Sequence, residues 1–282
     1  MNDPSFSENQ SAPVIWPELW SAFAAHRKKV TNVLRTVAPN PNGSLSVWGA
    51  GRTTDLDLSS LLQHYATIEL VDLDPELTRG ALVQRELKTN SNVTVAPRVD
   101  ITGVNEQLEA FKDSPTESKL EAIIDSSQHT KLDLGQYDVV VSTCLLSQVL
   151  RQVFSCLAES GLPNSVTNQY LPRILRAIRE KHIELILDHT LPGGSGVLIT
   201  DLTSSHALPE MLMEGADLQQ LLMTKVVKGN HFHGLNPRLI LEASQTERIA
   251  SKLDDVQITS PWVWNSIEMQ YLCVAFQFRK SS

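Results

Sequence analysis

No run of apolar residues in this sequence approaches the ~20 that a helix needs to cross a bilayer. The start, Met1-Asn-Asp-Pro-Ser-Phe-Ser-Glu, is polar and acidic, and reads as neither a secretory signal nor an Arg-rich transit peptide. Cysteine is scarce: Cys144, Cys156 and Cys273 are all there is, with no C-x-x-C pair. They read as small buried hydrophobes of a reducing compartment, so the expected location is the cytoplasm. Positive charge is also short. Lys and Arg total 24 against 32 Asp and Glu, a formal charge of -8, which argues against a surface built to hold nucleic acid by its phosphates. The basic clusters, His26-Arg-Lys-Lys and Arg173/Arg176/Arg179, carry no interleaved stacking aromatics. Glu180 and Glu184 dilute the second cluster, which reads as a solvated helix face. Internal repeats and low-complexity blocks are absent.

What is present is alternation. Trp16, Trp20, Phe23, Val30, Val33 and Leu34 fall near helical spacing from a start at Pro17, and Pro39-Asn-Pro-Asn-Gly43 ends that helix. From there strand-like segments at 44–49, 67–72, 92–97, 137–142 and 195–201 alternate with helix-like ones at 54–65, 75–88, 104–112, 144–159 and 167–190. That is the signature of an α/β sheet. Tyr137-Asp-Val-Val-Val-Ser is a β-branched run suited to a parallel strand covered on both faces. Residues 112–132 are polar and read as a surface insertion. A helix over 237–253 leads to two strand-like runs, 256–264 and 268–278, that read as an antiparallel hairpin. The expected architecture is α/β: a mainly parallel seven-stranded sheet flanked by helices and closed by a C-terminal hairpin. Residues 1–43 form a tail and helical extension, and 44–282 the main domain.

The informative segment is Ser44-Leu-Ser-Val-Trp-Gly-Ala-Gly-Arg-Thr-Thr-Asp-Leu-Asp-Leu. A strand runs into Gly49 and Gly51, where the lack of a Cβ lets backbone approach a ligand closely. The second strand ends at Asp72, 21 residues after Gly51, a spacing that places an acid to accept from ribose hydroxyls. Pro75 then opens the next helix. A dinucleotide fingerprint wants Gly or Ala at position 54, which is Thr54. Thr53 and Thr54 offer N-caps to a helix beginning at Asp55. Asp55 and Asp57 at that helix start repel a pyrophosphate and tolerate a cationic ligand. A nucleoside carrying positive charge suits this loop better than one carrying phosphates.

With these residues the chain resembles the class I S-adenosylmethionine-dependent methyltransferases, over roughly residues 44–282. Val47-Trp-Gly-Ala-Gly-Arg looks like that family's first motif and Leu70-Val-Asp-Leu-Asp-Pro-Glu like its second. Val95-Ala-Pro-Arg-Val-Asp100-Ile101 stands in the place of the third, Tyr137-Asp-Val-Val-Val-Ser-Thr matches the fourth strand, and Pro192-Gly-Gly-Ser-Gly leads into the fifth. The resemblance implies that S-adenosyl-L-methionine lies against Gly49, Ala50, Gly51, Asp72, Leu73, Asp100, Ile101 and Ser142. Asp100 would take the adenine amino group, and Ile101 would pack on the ring. Two positions depart from the pattern: Val47 stands where an acid is common and Thr53 where a third glycine is common. Arg52 or backbone groups around Ser142 are then the candidates for the methionine end. The implied activity is direct methyl transfer to a small molecule or a protein side chain. Ser142-Thr-Cys-Leu-Leu-Ser-Gln lacks the Asn/Asp-Pro-Pro-Tyr type of sequence of adenine and glutamine amino-group methylases. A non-catalytic binder of the same fold is the alternative, ahead of a nicotinamide-dependent oxidoreductase.

Other residues carry weaker signals. His231 and His233 share one side of an extended segment; they suit a metal pair, a base on an acceptor, or a polar surface loop, and no third ligand lies close enough to assign a metal site. His182 and His189 fall on the apolar stripe of their helix and read as core or interface residues rather than as chemistry. Cys144, just after the fourth strand, reads as an inert thiol with no basic neighbour in sequence. Asp201 to His206, past the fifth strand, either touch the acceptor or cap the next helix. The aromatic helix at Trp16, Trp20 and Phe23 either covers the cofactor cleft or forms an interface.

Overall fold

The computed structural model describes residues 16–229, 234–267 and 269–282. Helices α1 (Trp16–Ala22) and α2 (Ala24–Val37) precede β1 (Gly43–Trp48). There follow α3 (Leu58–Leu61), β2 (Tyr65–Val71), α4 (Pro75–Gln84), β3 (Val93–Val95), α5 (Asn105–Asp113), α6 (Glu117–His129) and β4 (Tyr137–Thr143). The second half holds α7 (Leu145–Glu159), α8 (Asn164–Asp188), β5 (Thr190–Ser204), α9 (Leu218–Leu221), α10 (Pro237–Ser244), α11 (Glu247–Ala250), β6 (Leu253–Ile258), β7 (Trp262–Asn265) and β8 (Gln270–Lys280).

The strands form one sheet in the order β3-β2-β1-β4-β5-β8-β6, with β7 also paired to β8. β1 to β5 pair with one another in parallel, whereas β8 runs antiparallel to β5, β6 and β7. β6 and β7 lie end to end along β8. Pro261 separates them and has no N–H to give a ladder. Thr259 keeps the gap attached, donating its N–H to the Ala275 carbonyl at 2.9 Å and accepting from Ala275 N on Oγ1 at 3.0 Å. The sheet is therefore seven strands wide, mainly parallel and closed by antiparallel strands, as the sequence pattern predicts.

Alternation along β4 shows why its β-branched run is continuous. Val139 and Val141 join a core with Val30, Leu34, Leu58 and Leu82 from α2, α3 and α4. Val140 points the other way, into a core with Leu108, Ile123, Leu150 and Ile178 from α5 to α8. Both faces of the strand are covered, so no polar position is needed.

Four expectations change. Residues 112–132 are not a surface insertion, because α6 buries Leu120, Ile123 and Ile124, spaced one helical turn apart, and packs against α8. The helix expected over 54–65 is the single turn of α3. Its cap is Asp57, whose Oδ1 accepts from Ser60 N at 3.1 Å, rather than Thr53 or Thr54. Thr53 has φ 55°, a left-handed conformation that a right-handed helix does not pass through. The helix expected over 237–253 breaks into α10 and α11 around Gln245. Of the three arginines read as a solvated face, Arg179 is buried and donates to the Gly234 carbonyl at 3.1 Å. Among the described residues no helix is long and apolar enough to cross a membrane.

Candidate functional site

β1 has β2 on one side and β4 on the other, so the direction of winding reverses there and the carboxyl ends of β1 and β4 bound a crevice. The loop leaving β1 curls over the end of β2, as Gly49 N and Ala50 N both donate to the Val71 carbonyl, at 3.0 and 3.2 Å. Gly49 is needed for packing: at φ 74° a Cβ would stand 2.9 Å from Leu145 Cβ, at the start of α7. Gly51 differs. Its φ is also positive, at 46°, yet nothing lies within 4 Å of the place a Cβ would take.

Asp72 holds this loop from the end of β2. Its Oδ2 accepts from Gly51 N at 2.8 Å and its Oδ1 from Asp74 N at 2.9 Å. An ionised carboxylate offers about four acceptor positions, so two remain for a ligand. Leu73, beside it, presents an apolar side chain to solvent. Asp74 turns to α4 and caps it, accepting from Leu77 N at 3.1 Å. Gly49, Ala50, Gly51, Asp72 and Leu73 thus lie together at the carboxyl ends of β1 and β2, with Ala50 buried in the core beneath.

The remaining candidates are engaged elsewhere. Asp100 Oδ1 accepts from Thr102 N, Thr102 Oγ1 and Gly103 N, and its Oδ2 from Asn105 N. Its acceptor positions are filled by the turn that leads into α5. Ile101 is buried in the core. Ser142 is fully buried, with Oγ 2.8 Å from His182 Nε2, because alternation turns it into the sheet face under α8. Burial lowers the His182 pKa to about 4. His189, the other core histidine, contacts the Gly135 carbonyl through Nδ1 at 2.9 Å. Arg52 is exposed.

Sequence spacing gives no sign of what lies behind the loop. Trp20 is sandwiched between two guanidinium groups, Arg27 at 3.4 Å and Arg85 at 4.1 Å from its ring centroid. Arg27 donates to the carbonyls of Trp20 and Thr54 at 3.0 and 3.1 Å. Arg85 donates to those of Thr53 and Leu56. The N-terminal helices therefore cover the far side of the glycine loop, while the side chain of Trp16 lies outside the described residues. Beside this clamp, His26 and Trp262 come together from positions 236 residues apart. Cys144, in left-handed conformation at φ 50°, caps α7. A hydrogen bond with the Cys273 thiol, together with burial, raises its pKa well above the usual thiol value. Asp201 is buried at the end of β5 and burial raises its carboxyl pKa, whereas His206 is exposed. His231 and His233 lie outside the described residues.

No family model matches the chain, and no curated protein matches it in sequence. Solved structures do match in shape. The YcgJ protein of Bacillus subtilis superposes with a TM-score of 0.50 at 9% identity, covering 91% of this chain and 100% of that one. The N-methyltransferase NodS of Bradyrhizobium japonicum WM9 gives 0.45 at 12% identity, covering 91% and 96%. TrmN of Thermus thermophilus gives 0.44 at 12% identity, covering 93% of this chain, which spans only 52% of TrmN. At such identities the likeness is one of fold. The shared fold is a mainly parallel sheet flanked by helices, with antiparallel strand β8 inserted next to β5.

Proposed function

We propose that the chain binds S-adenosyl-L-methionine over Gly51 and transfers its methyl group to a small molecule or a protein side chain. The observation that carries this reading is the Gly51–Asp72 pair: a left-handed glycine under open space, tied to a carboxylate with acceptor positions to spare. In this arrangement the ribose hydroxyls donate to Asp72, the backbone of Gly49–Gly51 lies beneath the ligand and Leu73 covers the base. Asp100, Ile101 and Ser142 support this ligand from a distance at most, given the partners they already have. The cofactor supplies a methyl group activated on a sulfonium. The chain's own work is to hold acceptor and methyl carbon in line, which by itself supplies much of the acceleration. The basic residues on α8 favour no nucleic acid: Arg173 is paired to Glu121 at 2.8 Å and Arg176 to Glu180 at 2.6 Å.

Calorimetry tests the reading directly. S-adenosylhomocysteine and S-adenosylmethionine are expected to bind and NAD to give no heat. Binding of NAD with no response to either S-adenosyl compound would overturn it. Retained ligands in native mass spectra of the purified protein provide a second check.

A further inference from the structure

Between α8 and α10 lies a cavity of about 500 Å³, and none of its lining residues belongs to the glycine loop or to the ends of β1 and β2. Leu171, Pro172 and Leu175 form its wall on α8, and Leu239 and Ala243 its wall on α10. Leu171, Leu175 and Arg179 follow one another at four-residue steps, so a single row along α8 begins apolar and ends in a cation. Two ion pairs flank the cavity. Arg176 binds Glu180 at 2.6 Å and Arg238 binds Glu242 at 2.7 Å. Arg179 is the cation left over, and it is just 6% exposed.

The guanidinium of Arg179 is held but not satisfied. Its Nη1 donates to the Gly234 carbonyl at 3.1 Å, and both residues line the cavity. Its Nε is shut in with no partner among the described residues. Nη2 has none there either, and it is not shut in, which leaves it as the nitrogen open to the cavity. Burial works against the charge, and Glu180 and Glu242 draw it only in part because each already serves another arginine. A guanidinium nonetheless stays protonated at any ordinary pH. Arg176, Arg179 and Arg238 against Glu180 and Glu242 leave one positive charge in excess beside an apolar wall. A buried cation with one neutral acceptor is costly until an anion joins it.

We propose that this cavity is a second ligand site, which takes a small monocarboxylate with an apolar body. The carboxylate pairs with Arg179 and the body lies against Leu171, Leu175 and Leu239. Charge sets the head group: a single excess cation matches one carboxylate, whereas a phosphate monoester would bring close to two charges to a wall that also carries Glu180 and Glu242. The planar guanidinium directs its donors at a carboxylate more sharply than an ammonium would. The volume falls in the range of small-ligand pockets, roughly 300–1,000 Å³. This site stands independently of the S-adenosylmethionine reading, because it shares no residue with the Gly51–Asp72 crevice.

The test uses octanoate, with octanol as the body without the charge and acetate as the charge without the body. Ligand-observed NMR titrations at pH 7.5 measure all of them on the full chain. Octanoate should bind the wild type with a dissociation constant of about 1 mM or below, the range open to so small a ligand. Octanol and acetate should each bind at least about tenfold more weakly. Arg179→Met keeps the bulk and removes the charge, so octanoate affinity should fall roughly 10- to 100-fold while octanol is unaffected. Leu239→Trp fills the cavity from a half-buried position on α10 with Arg179 intact, and it should abolish octanoate binding. Urea midpoints confirm that both variants are folded. Equal binding of octanoate and octanol to the wild type, or no octanoate binding up to about 10 mM, would overturn the proposal. So would octanoate affinity unchanged in either variant. A lower urea midpoint in Arg179→Met with octanoate bound as before would make Arg179 a brace for the Gly234 carbonyl and nothing more.

Discussion

Gly51 and Thr53 stand two residues apart in one loop and share left-handed backbone, at φ 46° and 55°, in opposite surroundings. Above Gly51 the space for a Cβ is open, and its N–H is held by a carboxylate with capacity left. Thr53 is buried, its carbonyl is taken by Arg85, and its hydroxyl has no partner among the described residues. One flank of the loop faces outward because the other is clamped. Two arginines stacked on Trp20 fix the carbonyls of Thr53, Thr54 and Leu56, so the turn at Gly51 does not depend on a ligand for its shape. The largest test of this contrast is Gly51→Val. Its branched Cβ enters open space, so the fold should survive a local strain of about 1–2 kcal/mol. S-adenosylhomocysteine affinity should fall by roughly 100-fold or more, since the side chain stands where the ligand approaches. A variant that melts slightly lower and titrates as wild type would make Gly51 a turn residue only.

The next test separates two acids at the end of β2. Asp72 gives two of its acceptor positions to the loop and leaves the others to a ribose; Asp74 gives its side chain to α4. A hydrogen bond to a charged group contributes about 1.5–3 kcal/mol, so Asp72→Ala should weaken S-adenosylhomocysteine binding by roughly 10- to 100-fold. Asp74→Ala should cost about 1 kcal/mol of stability as a lost helix cap and leave affinity nearly unchanged. Calorimetry and denaturant titration on both variants decide it. Equal affinity losses would move the ribose contact away from Asp72.

The open flank was legible in the sequence and the clamped one was not, for a physical reason. Gly49, Gly51, Asp72 and Pro75 lie within 27 residues and mark a local strand–loop–helix–strand unit, whose spacing is set by the reach of two strands and a turn. The alternation of strands and helices and the closing hairpin were readable as well, because hydrophobic runs and breakers set them locally. Trp262 meets His26, and Arg85 meets Thr53, only through the folded sheet, and no periodicity carries that information. Asp100 is a related case. Its place after β3 is readable, but whether its oxygens face a ligand or cap the next helix depends on a turn that Thr102 and Gly103 build around it. The polar segment over α6 misled because its apolar stripe is just three residues long, Leu120, Ile123 and Ile124.

Acid should act on the clamped flank through two groups with opposite signs. His26 is held neutral by burial, from an ordinary 6.5 down to about 3. Its contribution to stability is complete above 6.5 and is lost as pH falls toward 3. Asp55 is raised by burial from 3.8 to about 7, so its contribution is complete below 3.8 and is lost as pH rises through 7. Between pH 7 and 4 the two offset each other, and the wild type should show a shallow loss, to which His182 adds and which Asp201, raised by burial, reduces. Removing Asp55 with Asp55→Asn should steepen that loss, and His26→Gln should flatten or reverse it. Urea midpoints at pH 4.5, 5.5, 6.5 and 7.5 measure the slopes. Parallel slopes in all three proteins would show that neither group titrates as its surroundings dictate.

The smallest effect concerns Thr53 itself. A β-branched residue in left-handed conformation carries roughly 1–2 kcal/mol of strain, and this one also buries a hydroxyl without a partner among the described residues. Thr53→Gly removes both. Against that stand the lost packing of one small side chain and the greater backbone freedom of glycine in the unfolded chain, about 0.5–1 kcal/mol. The balance should be a gain of about 0.5–1 kcal/mol in a denaturant titration at pH 7.5, small but of definite sign. Arg85 binds the carbonyl of residue 53 rather than its side chain, so the clamp persists and S-adenosylhomocysteine affinity should not move. A stability loss in Thr53→Gly would mean that the side chain braces the loop from inside. A loss of affinity without a loss of stability would mean that the two flanks are coupled, and that Gly51 owes its open geometry to the threonine two residues away.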